Sequence, residues 1–595
     1  MNRPTVTTNT ALPSRIGEFE TLTEALDYAA RGETGCNFFS SRGDFEVAAT
    51  WKEIRDRAMA LARAFDRVGF PRGARMAIVA ETKPEFMYFF FACQYAGMLP
   101  VALPLSMHLS GHDEYVQRLA KLIAKADARY AVGSADLIAY VREAAPDLEM
   151  AGTPDDYYAL PSEGGNLRPF QSDERSYIQF SSGSTSSPRG VTVSQRSITA
   201  NARGILKGGL QYRATDRANS WLPLYHDMGL VGFCLTPMMA QSSIDYMSTQ
   251  SFARRPLVWL RLMSEYGATI AFSPNFGYEL CARRELNGSA KDLDLRQWRV
   301  AGIGGDMIYP GTLDRFAEVF GPVGFSPKAF VPSYGQAETT LATTFAPVGG
   351  GYEVEYVDRN RLAETGEIVR ANINGHDPND AFRPFVKCGL PLPGHGLEIR
   401  DDGGSTLPEG HVGRVVVRGP SIMEGYYRDE TGTAAVMEPN GWMDTGDLGY
   451  LSDGQLVITG RQKDLIILNG KNIWPQDIEQ AVEQLERVRG SDVACFSIPL
   501  PEGGEHMVVI VHCRVSDKDR RDHLRKSVMA TVKRISGADC QILLVPPGTL
   551  PFTSSGKLSR AAAKADFISG EIADLEAPPP HQMPQAGESL TAAAR

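Results

Sequence analysis

The chain has 595 residues, which is long enough for more than one domain with its own hydrophobic core. Hydrophobic residues make up 43% of it and charged residues 22%, a composition typical of globular proteins. The formal net charge of −10 argues against a nucleic-acid-binding surface, because phosphate contacts need clustered Lys and Arg. Residues 1–15 are polar and lack the apolar segment of a signal peptide, so we expect a cytoplasmic protein.

One segment, Phe86–Met107, carries no formal charge and is long enough to cross a bilayer. It is interrupted, however, by Gln94, Gly97, Pro100 and Pro104. We therefore predict a buried helix up to about Ala96, then a break, then a short core strand over Val101–Leu105. No membrane span is expected.

Apolar strand-like runs alternate with helical patterns through the first three quarters of the chain, which predicts an α/β fold with mostly parallel sheets. The clearest strand runs are Arg75–Ala80, Arg129–Val132, Tyr177–Ser181 and Ala268–Phe272. After about Pro391 the pattern becomes β-rich. It predicts a strand over Gly413–Arg418 and a hairpin turn at Asp453-Gly454 before Gln455–Thr459.

The last part of the chain has the pattern of a second, smaller α+β domain. The predicted order is a helix over Pro475–Leu485, strands over Asp492–Ile498 and Met507–Val515, a helix over Arg520–Ile535 and a strand over Cys540–Val545. We place the boundary in the charged segment Arg461–Asp464, giving domains at 1–462 and 463–575. Residues 576–595 are rich in Ala, Pro and Gln and are expected to be disordered.

The eight cysteines show no metal or disulfide pattern, because none of them forms a Cys-x-x-Cys pair. They are Cys36, Cys93, Cys234, Cys281, Cys388, Cys495, Cys513 and Cys540. Most lie in apolar surroundings, so we expect reduced, buried thiols.

The polar loop Phe180–Val191 offers many hydroxyl and backbone N–H donors in a short space, which suits a polyphosphate. It lacks the Gly-Lys-Ser/Thr ending of the usual phosphate loop, and by composition alone it could equally be a surface turn.

Six further motifs follow in order along the chain. They are Trp221–Gly229, Gly304-Gly305-Asp306, Tyr334–Glu338, Asp444–Asp447, Gly460–Asp464 and Pro551–Lys557. Taken singly, Asp447 and Glu338 could be caps, His226 a core histidine and Lys557 a surface charge.

Taken together and in this order, the motifs closely resemble the adenylate-forming superfamily of acyl-CoA synthetases, luciferases and adenylation domains. The resemblance covers about Thr50 to Arg560. It implies a large N-terminal domain of mostly parallel sheets flanked by helices, with a distorted barrel-like part, followed by a smaller mobile C-terminal domain. Members of this superfamily use ATP and Mg²⁺ to convert a carboxylate into an acyl adenylate, releasing pyrophosphate.

The resemblance also implies roles for individual residues. Lys557, His226 and Arg461 would be catalytic, Glu338 and Thr185 would bind Mg²⁺, and Lys463 would be the hinge of the mobile domain. The ATP- and AMP-binding residues would be Ser181, Ser182, Gly183, Ser184, Thr185, Gly304, Gly305, Asp306, Ser333, Tyr334, Gly335, Asp447 and Arg461. The loop departs from the superfamily pattern at Ser186, where Gly is common, and at Arg189, where Lys is common.

Three features resemble the fatty acyl-AMP ligase branch, which loads lipids onto carrier proteins. They are Leu222–Leu230, the segment Ser273–Tyr278 with Cys281–Arg284, and an apparent insertion near 351–384. The insertion could instead be an ordinary surface excursion. The resemblance implies a fatty acid substrate and an acyl carrier protein. Gly587–Leu590 is similar to the serine motif that carries phosphopantetheine in carrier proteins, but only five residues follow it, too few for the helical bundle of a carrier. We therefore expect the carrier to be a separate protein.

The acyl pocket is assigned by resemblance to Phe272, Asn275, Phe276, Gly277 and Tyr278, with Phe252 a further aromatic candidate. These aromatic residues could equally belong to the core. Two other functions stay open at this point: a conventional acyl-CoA synthetase, and a non-catalytic protein that binds a nucleotide or an acyl adenylate.

Overall fold

The computed structural model describes residues 12–105, 111–181, 188–285, 288, 290–371, 381–468, 470–500, 504–553 and 557–576. The chain divides into two units, the first ending at Gln462 and the second beginning at Lys463. The tail predicted to be disordered lies, from residue 577 on, outside the described residues.

Helices of the first unit form where apolar residues recur at helical spacing. Helix α2 begins with a capping box between Thr50 and Glu53, and α3 is apolar on every side because it is buried between other elements. The helices are α1 (Leu22–Ala29), α2 (Trp51–Arg67), α3 (Pro84–Ala96), α4 (His112–Ala126), α5 (Ala135–Ala144), α6 (Pro154–Tyr158), α7 (Gln195–Gly204), α8 (Asp227–Leu230), α9 (Thr236–Met239), α10 (Thr249–Arg254), α11 (Leu257–Tyr266), α12 (Asn275–Arg284), α13 (Pro310–Phe320), α14 (Arg359–Thr365) and α15 (Glu430–Ala434).

Strands of the first unit are short and mostly buried, as expected for sheets covered on both faces. They are β1 (Gly35–Phe39), β2 (Phe45–Thr50), β3 (Arg75–Val79), β4 (Leu99–Leu103), β5 (Tyr130–Val132), β6 (Met150–Gly152), β7 (Arg175–Phe180), β8 (Gly190–Ser194), β9 (Ala218–Ser220), β10 (Ile244–Met247), β11 (Ile270–Ser273), β12 (Val300–Ile303), β13 (Phe330–Tyr334), β14 (Thr344–Phe345), β15 (Val354–Asp358), β16 (Arg370–Ala371), β17 (Phe382–Val386), β18 (Leu390–Pro391), β19 (Gly396–Arg400), β20 (Gly413–Arg418), β21 (Gly425–Tyr426), β22 (Met443–Ser452) and β23 (Gln455–Arg461).

Two large sheets form the centre of the first unit. In the described residues the nine-stranded sheet has the order β18-β14-β13-β12-β11-β9-β10-β1-β2, and the seven-stranded sheet β21-β8-β7-β4-β3-β5-β6. Their central strands are parallel. The outer pairs are antiparallel at both edges of the nine-stranded sheet and at the β21 edge of the seven-stranded sheet, whereas β5 and β6 at its other edge are parallel. The predicted α/β class with mostly parallel sheets is confirmed.

The part after Pro391 is β-rich, as the sequence predicted, and its strands are antiparallel. Strands β19, β20, β22 and β23 pair in that order into an open four-stranded sheet. The part expected to be a distorted barrel does not close in the described residues, because β19 and β23 stand at opposite edges of this sheet.

Two local predictions are confirmed by the backbone. Helix α3 ends at Ala96, and Gly97 follows in the left-handed conformation at φ +66°, which a glycine adopts without a Cβ penalty. Asp453 (φ +52°) and Gly454 (φ +72°) form the two-residue turn between β22 and β23, with Ser452 opposite Gln455.

The segment predicted to be an insertion is a folded substructure wherever it is described. Strands β15, β16 and β17 form a three-stranded antiparallel sheet with α14, while residues 372–380 lie outside the description. Lys387, just after β17, lies 2.8 Å from an Asp453 carboxylate oxygen and 3.1 Å from one of Glu353. The small sheet is therefore tied to the β22–β23 hairpin by a buried cation.

The second unit is an α+β fold with its own core. Strands β26 (Val493–Pro499), β27 (Glu505–His512) and β28 (Cys540–Val545) form a mixed sheet, and β24 (Ile466–Leu468) pairs with β25 (Lys471–Ile473). The helices are α16 (Pro475–Glu483), α17 (Lys518–Ser536) and α18 (Arg560–Ser569). Arg560 donates to Glu479 (2.8 Å) and to Asp464 (3.0 Å), which fixes the start of α18.

All eight cysteines are free and buried, as the sequence predicted. Within the described ranges, none of the helices combines the length and the apolar character needed to cross a membrane.

Candidate functional site

The ends of the proposed phosphate loop are closed by the hairpin of β7 and β8. The N–H of Ser181 donates to the carbonyl of Arg189 at 3.0 Å, and Lys125 of α4 donates to the carbonyl of Pro188 at 2.8 Å. Ser182, Gly183, Ser184, Thr185 and Ser186 lie outside the described residues. The chain thus enters and leaves the loop at fixed points.

Arg189 has a defined environment that the sequence did not reveal. Its guanidinium carbon lies 4.8 Å from the ring centroid of Tyr426, and its Nε lies 4.0 Å from an oxygen of Asp429. A planar guanidinium stacks on an aromatic face better than an ammonium group does, which gives a physical reason for Arg here.

Tyr426 connects this cation to the proposed metal ligand. Its hydroxyl donates to Oε1 of Glu338 at 2.9 Å. Burial raises the pKa of Glu338, although the hydrogen bond from Tyr426 acts in the opposite direction. Sequence reasoning missed Tyr426 and Asp429, since neither lies in a recognisable motif and both reach the site only through β21 pairing with β8.

Glu338 lies on a single turn of 3-10 helix, Ala337–Thr339, after β13. The next residue, Thr340, has φ +71° and ψ −53°, an uncommon conformation for a β-branched side chain. Its hydroxyl donates to the carbonyl of Ser421 at 2.7 Å, which helps hold this backbone in place. Such strain costs on the order of 1–3 kcal/mol and is concentrated at functional sites.

Asp447 lies at the centre of a second polar group. The hydroxyl of Tyr334, at the end of β13, donates to its Oδ2 at 2.7 Å. Arg461 is directly opposite Asp447 in the β22–β23 ladder, with its Nε 3.3 Å from Oδ1. The structure therefore brings together three predicted nucleotide-binding residues from separate motifs.

The glycine turn after β12 lies beside the end of β13. A Cβ on Gly304 would come within 2.6 Å of the carbonyl oxygen of Ser333, and one on Gly335 within 1.8 Å of that of Leu341. Gly305 has φ +80°, and Asp306 next to it is exposed. Close backbone approach at Gly304 and Gly335 leaves no room for side chains there.

His226 caps the short helix α8. Its Nδ1 accepts from the backbone N–H of Met228 at 3.3 Å, and Oδ1 of Asp227 accepts from the same N–H at 2.7 Å. A π-helical turn, Val231–Leu235, follows directly after α8. Such turns are rare in proteins overall, but those that occur often lie at functional sites.

The residues assigned to the acyl pocket differ in how far they are buried. Phe272 packs edge-on against Phe233 and Phe345, and a Cβ on neighbouring Gly302 would overlap its ring at 2.1 Å. Phe276 is 41% exposed.

Tyr278 is fully enclosed, its hydroxyl donating to the carbonyl of Gly302 at 2.9 Å, and Phe252 is stacked on Trp221. These two rings are core residues, the alternative that the sequence left open. Asn275 accepts from the N–H of Tyr309 at 3.1 Å, and a Cβ on Gly277 would come within 2.0 Å of the hydroxyl of Ser273.

Lys557 and Lys463 belong to the second unit. Lys557 donates through its backbone N–H to the hydroxyl of Thr553 at 3.2 Å, and Ser554–Gly556 lie outside the description. Lys463 is exposed on the turn Gln462–Asp464.

Comparison with known proteins places these motifs in context. Residues 33–427 match the family model described as "AMP-binding enzyme". A protein of Caulobacter vibrioides (strain NA1000 / CB15N), provisionally named an acyl-CoA synthetase, is 45% identical over 94% of this chain and 97% of its own length. The medium-chain-fatty-acid–[acyl-carrier-protein] ligase JamA of Moorena producens (strain JHB) is 29% identical over 94% of this chain and 97% of its own.

A solved structure from a study of fatty acyl-adenylate ligases from E. coli and L. pneumophila has the same fold. It is 40% identical, with a TM-score of 0.89, and the match covers 94% of this chain and all of that chain.

Proposed function

Because this chain belongs to the AMP-binding enzyme family and is related to fatty acyl-adenylate ligases, we propose that it activates a fatty acid as acyl-AMP and passes the acyl group to a separate carrier protein. The resemblance inferred from the ordered motifs is confirmed at the level of the family. The roles of individual residues are part of the proposal.

The observation that carries the proposal is the position of Asp447. Its carboxylate, on β22, accepts from the hydroxyl of Tyr334 and lies beside the guanidinium of Arg461. Tyr334 ends β13, and its neighbour Ser333 lies against Gly304. A carboxylate fixed in this way can accept hydrogen bonds from ribose hydroxyls. The position of the adenine beside Gly304 and Gly305 is carried over from the resemblance. ATP is therefore the proposed nucleotide.

The first reaction forms a new phosphorus–oxygen bond. A carboxylate oxygen of the fatty acid attacks the α-phosphorus, the bond to the bridging oxygen of the β-phosphate breaks, and pyrophosphate leaves with the electron pair. In this proposal Lys557 and Arg461 stabilise the charge that develops, His226 lies near the reacting carboxylate, and the Ser181–Thr185 loop holds the departing phosphates.

The second reaction transfers the acyl group. The phosphopantetheine thiolate of a carrier protein attacks the acyl carbonyl carbon, the carbon–oxygen bond to the phosphate breaks, and AMP leaves. The role of Lys463 as a hinge that lets Lys557 withdraw before this step is carried over from the resemblance.

The residues present suit Mg²⁺ as the metal. No group of three His, Cys, Asp or Glu side chains converges in the described ranges, and Glu338 offers a single partly buried carboxylate. Mg²⁺ characteristically takes one or two carboxylates together with substrate phosphates. Glu338 and Thr185 would hold it, and when bound it would neutralise charge on the phosphates.

The acyl acceptor has one specific alternative. The name of the Caulobacter vibrioides relative favours CoA, whereas that of JamA favours a carrier protein. We favour the carrier because the described part of the segment near 351–384 is a folded sheet anchored to the β22–β23 hairpin, consistent with an insertion that restrains movement. The cytoplasmic location stays a prediction.

The test measures pyrophosphate release from ATP, Mg²⁺ and fatty acids of increasing chain length. Wild-type protein should release pyrophosphate, and Lys557→Ala should lower the rate by about 10²–10³-fold, as for other single groups that stabilise transition-state charge. Lys564→Ala, which removes a charge on α18, is the matched control.

The same assay separates the acceptors. Product should form with a purified carrier protein and not with CoA. Efficient acyl-CoA formation would instead favour the synthetase, and ATP binding without turnover of any acid would revive the non-catalytic alternative.

A further inference from the structure

A buried imidazole–carboxylate pair in the second unit lies outside every motif described above. The side chains of His512, at the end of β27, and Asp492, just before β26, are 5% and 6% exposed. Nδ1 of His512 lies 3.1 Å from Oδ1 of Asp492. Such a pair needs an explanation, because burying charged and polar groups is costly unless each has partners.

The carboxylate is firmly ionised. Burial raises the pKa of Asp492, but the hydrogen bonds from His512 and Arg514 outweigh it and lower this pKa to about 2. The backbone N–H of Arg489 donates to its other oxygen at 2.9 Å.

The second nitrogen of His512 points to a different part of the fold. The backbone N–H of Leu550 donates to Nε2 at 3.0 Å. Because a backbone N–H can only donate, Nε2 carries no proton, and the ring is neutral with its proton on Nδ1 facing Asp492. Asp492 therefore sets the tautomer that allows His512 to accept from Leu550.

Leu550 is the first residue of the segment that carries Lys557. This segment closes on itself through Ser559 N–H to Pro551 carbonyl (3.0 Å) and Thr553 N–H to Lys557 carbonyl (2.7 Å). Leu550 is 3% exposed and packs in the core of the second unit. The bond to His512 thus fixes the start of this loop to the C-terminal end of β27.

We propose that His512 is a positioning residue for Lys557: by accepting from Leu550, with its tautomer set by Asp492, it holds the loop in the place from which Lys557 acts in adenylation. The inference rests on the proposed function, because it needs Lys557 to act in the first reaction. His512 itself touches no substrate in this proposal.

The test uses two substitutions, each of which keeps one of the two hydrogen bonds that the imidazole makes. In His512→Gln the amide oxygen reaches about as far as Nε2 and can accept from Leu550. In His512→Asn the shorter amide can donate to Asp492 but leaves the Leu550 N–H without an acceptor. The two variants are matched in chemistry and differ in which contact survives.

We expect His512→Asn to lower kcat for pyrophosphate release by about 10- to 100-fold, as for other residues that orient a catalytic group, with KM for ATP changed less than about two-fold. His512→Gln should stay within about three-fold of wild type by the same comparison. Transfer from a supplied synthetic acyl adenylate to a carrier protein should be unaffected in both. Equal effects of the two substitutions, or equal loss of both half-reactions, would overturn the proposal.

Hydrogen exchange read by mass spectrometry on the full chain gives an independent measurement. The peptide covering 550–559 should exchange faster in His512→Asn than in wild type or His512→Gln, and equal exchange would contradict the attachment. If wild type releases no pyrophosphate, the proposed function fails while this measurement still decides whether His512 holds the loop. If His512→Asn does not fold, Asp492→Asn takes its place, and unchanged adenylation in that variant would overturn the inference.

Discussion

At the scale of single residues, the site depends on contacts between side chains that are far apart in sequence. Arg189, Tyr426 and Glu338 form one such line, from a cation over an aromatic ring to a carboxylate. Motifs in the sequence identified the two ends of the line but not Tyr426 between them. The ring belongs to β21, whose pairing with β8 only the folded chain establishes.

Arg189→Lys tests the value of the planar guanidinium. Lysine keeps the charge but stacks less well on Tyr426, a contribution of about 0.5–1 kcal/mol, so kcat/KM for ATP should fall about 2- to 5-fold. Steady-state kinetics checks this, with Tyr426→Leu as the partner in a double-mutant cycle. Strictly additive effects of the two changes would show that the stacking has no role.

Glu338→Gln tests the metal ligand. We expect pyrophosphate release to fall by about 10²–10³-fold, with a higher Mg²⁺ concentration needed for half-maximal rate. Tyr426→Phe is the control, because it removes the hydrogen bond at 2.9 Å and keeps the carboxylate. An unchanged Mg²⁺ dependence in Glu338→Gln would exclude this residue as the ligand.

The pH dependence of Mg²⁺ binding follows from the same carboxylate. Burial raises the pKa of Glu338, and the metal binds the ionised form, so a proton must leave when Mg²⁺ binds. Apparent Mg²⁺ affinity should therefore be highest at neutral pH and weaken as the pH is lowered through this raised pKa, a trend that Glu338→Gln should abolish. Titrations of rate against Mg²⁺ at several pH values measure it.

At the scale of elements, the hairpin of β22 and β23 carries both Asp447 and Arg461. Its strands were predictable from alternating hydrophobicity, and its turn from Asp453-Gly454. The pairing of Asp447 with Arg461 depends on a register shift between Leu448 and Gly449, which no local pattern indicates. The hairpin is thus a predictable element whose register only the sheet decides.

Gly454→Ala tests whether this turn sets the site. Alanine in the left-handed conformation that Gly454 adopts at φ +72° costs about 1–2 kcal/mol, so the free energy of unfolding measured in urea should fall by this amount. KM for ATP should rise as well, because the strand ends bearing Asp447 and Arg461 shift. Gly404→Ala, at φ +86° in a turn without site residues, should cost similar stability and leave KM unchanged. Equal KM values in both variants would contradict the argument.

At the scale of the whole molecule, the chain consists of two units with separate cores, and the proposed reaction needs residues from both. The nucleotide-binding residues belong to the first unit and Lys557 to the second. Each unit buries its own apolar side chains, so each has the means to fold alone.

A fragment ending at Gln462 should therefore fold and bind ATP, yet release pyrophosphate at least about 10²-fold more slowly than the full chain, because it lacks Lys557. A fragment of residues 463–576 should show a cooperative urea transition. Calorimetry and the pyrophosphate assay check both statements. Full activity of the first fragment would contradict the role proposed for Lys557.

The sequence by itself determined the α/β class, the mostly parallel sheets, the break at Gly97, the Asp453-Gly454 turn and the family, because hydrophobic periodicity, glycine conformation and ordered motifs are local properties. The tertiary structure decided that Tyr278 and Phe252 are core rings, that the antiparallel strands form an open sheet, that Tyr426 joins Arg189 to Glu338, and that His512 accepts a hydrogen bond from Leu550. Burial and pairing between residues far apart in sequence depend on how the sheets and helices pack. A local sequence pattern does not show which neighbours a side chain will contact in the folded chain.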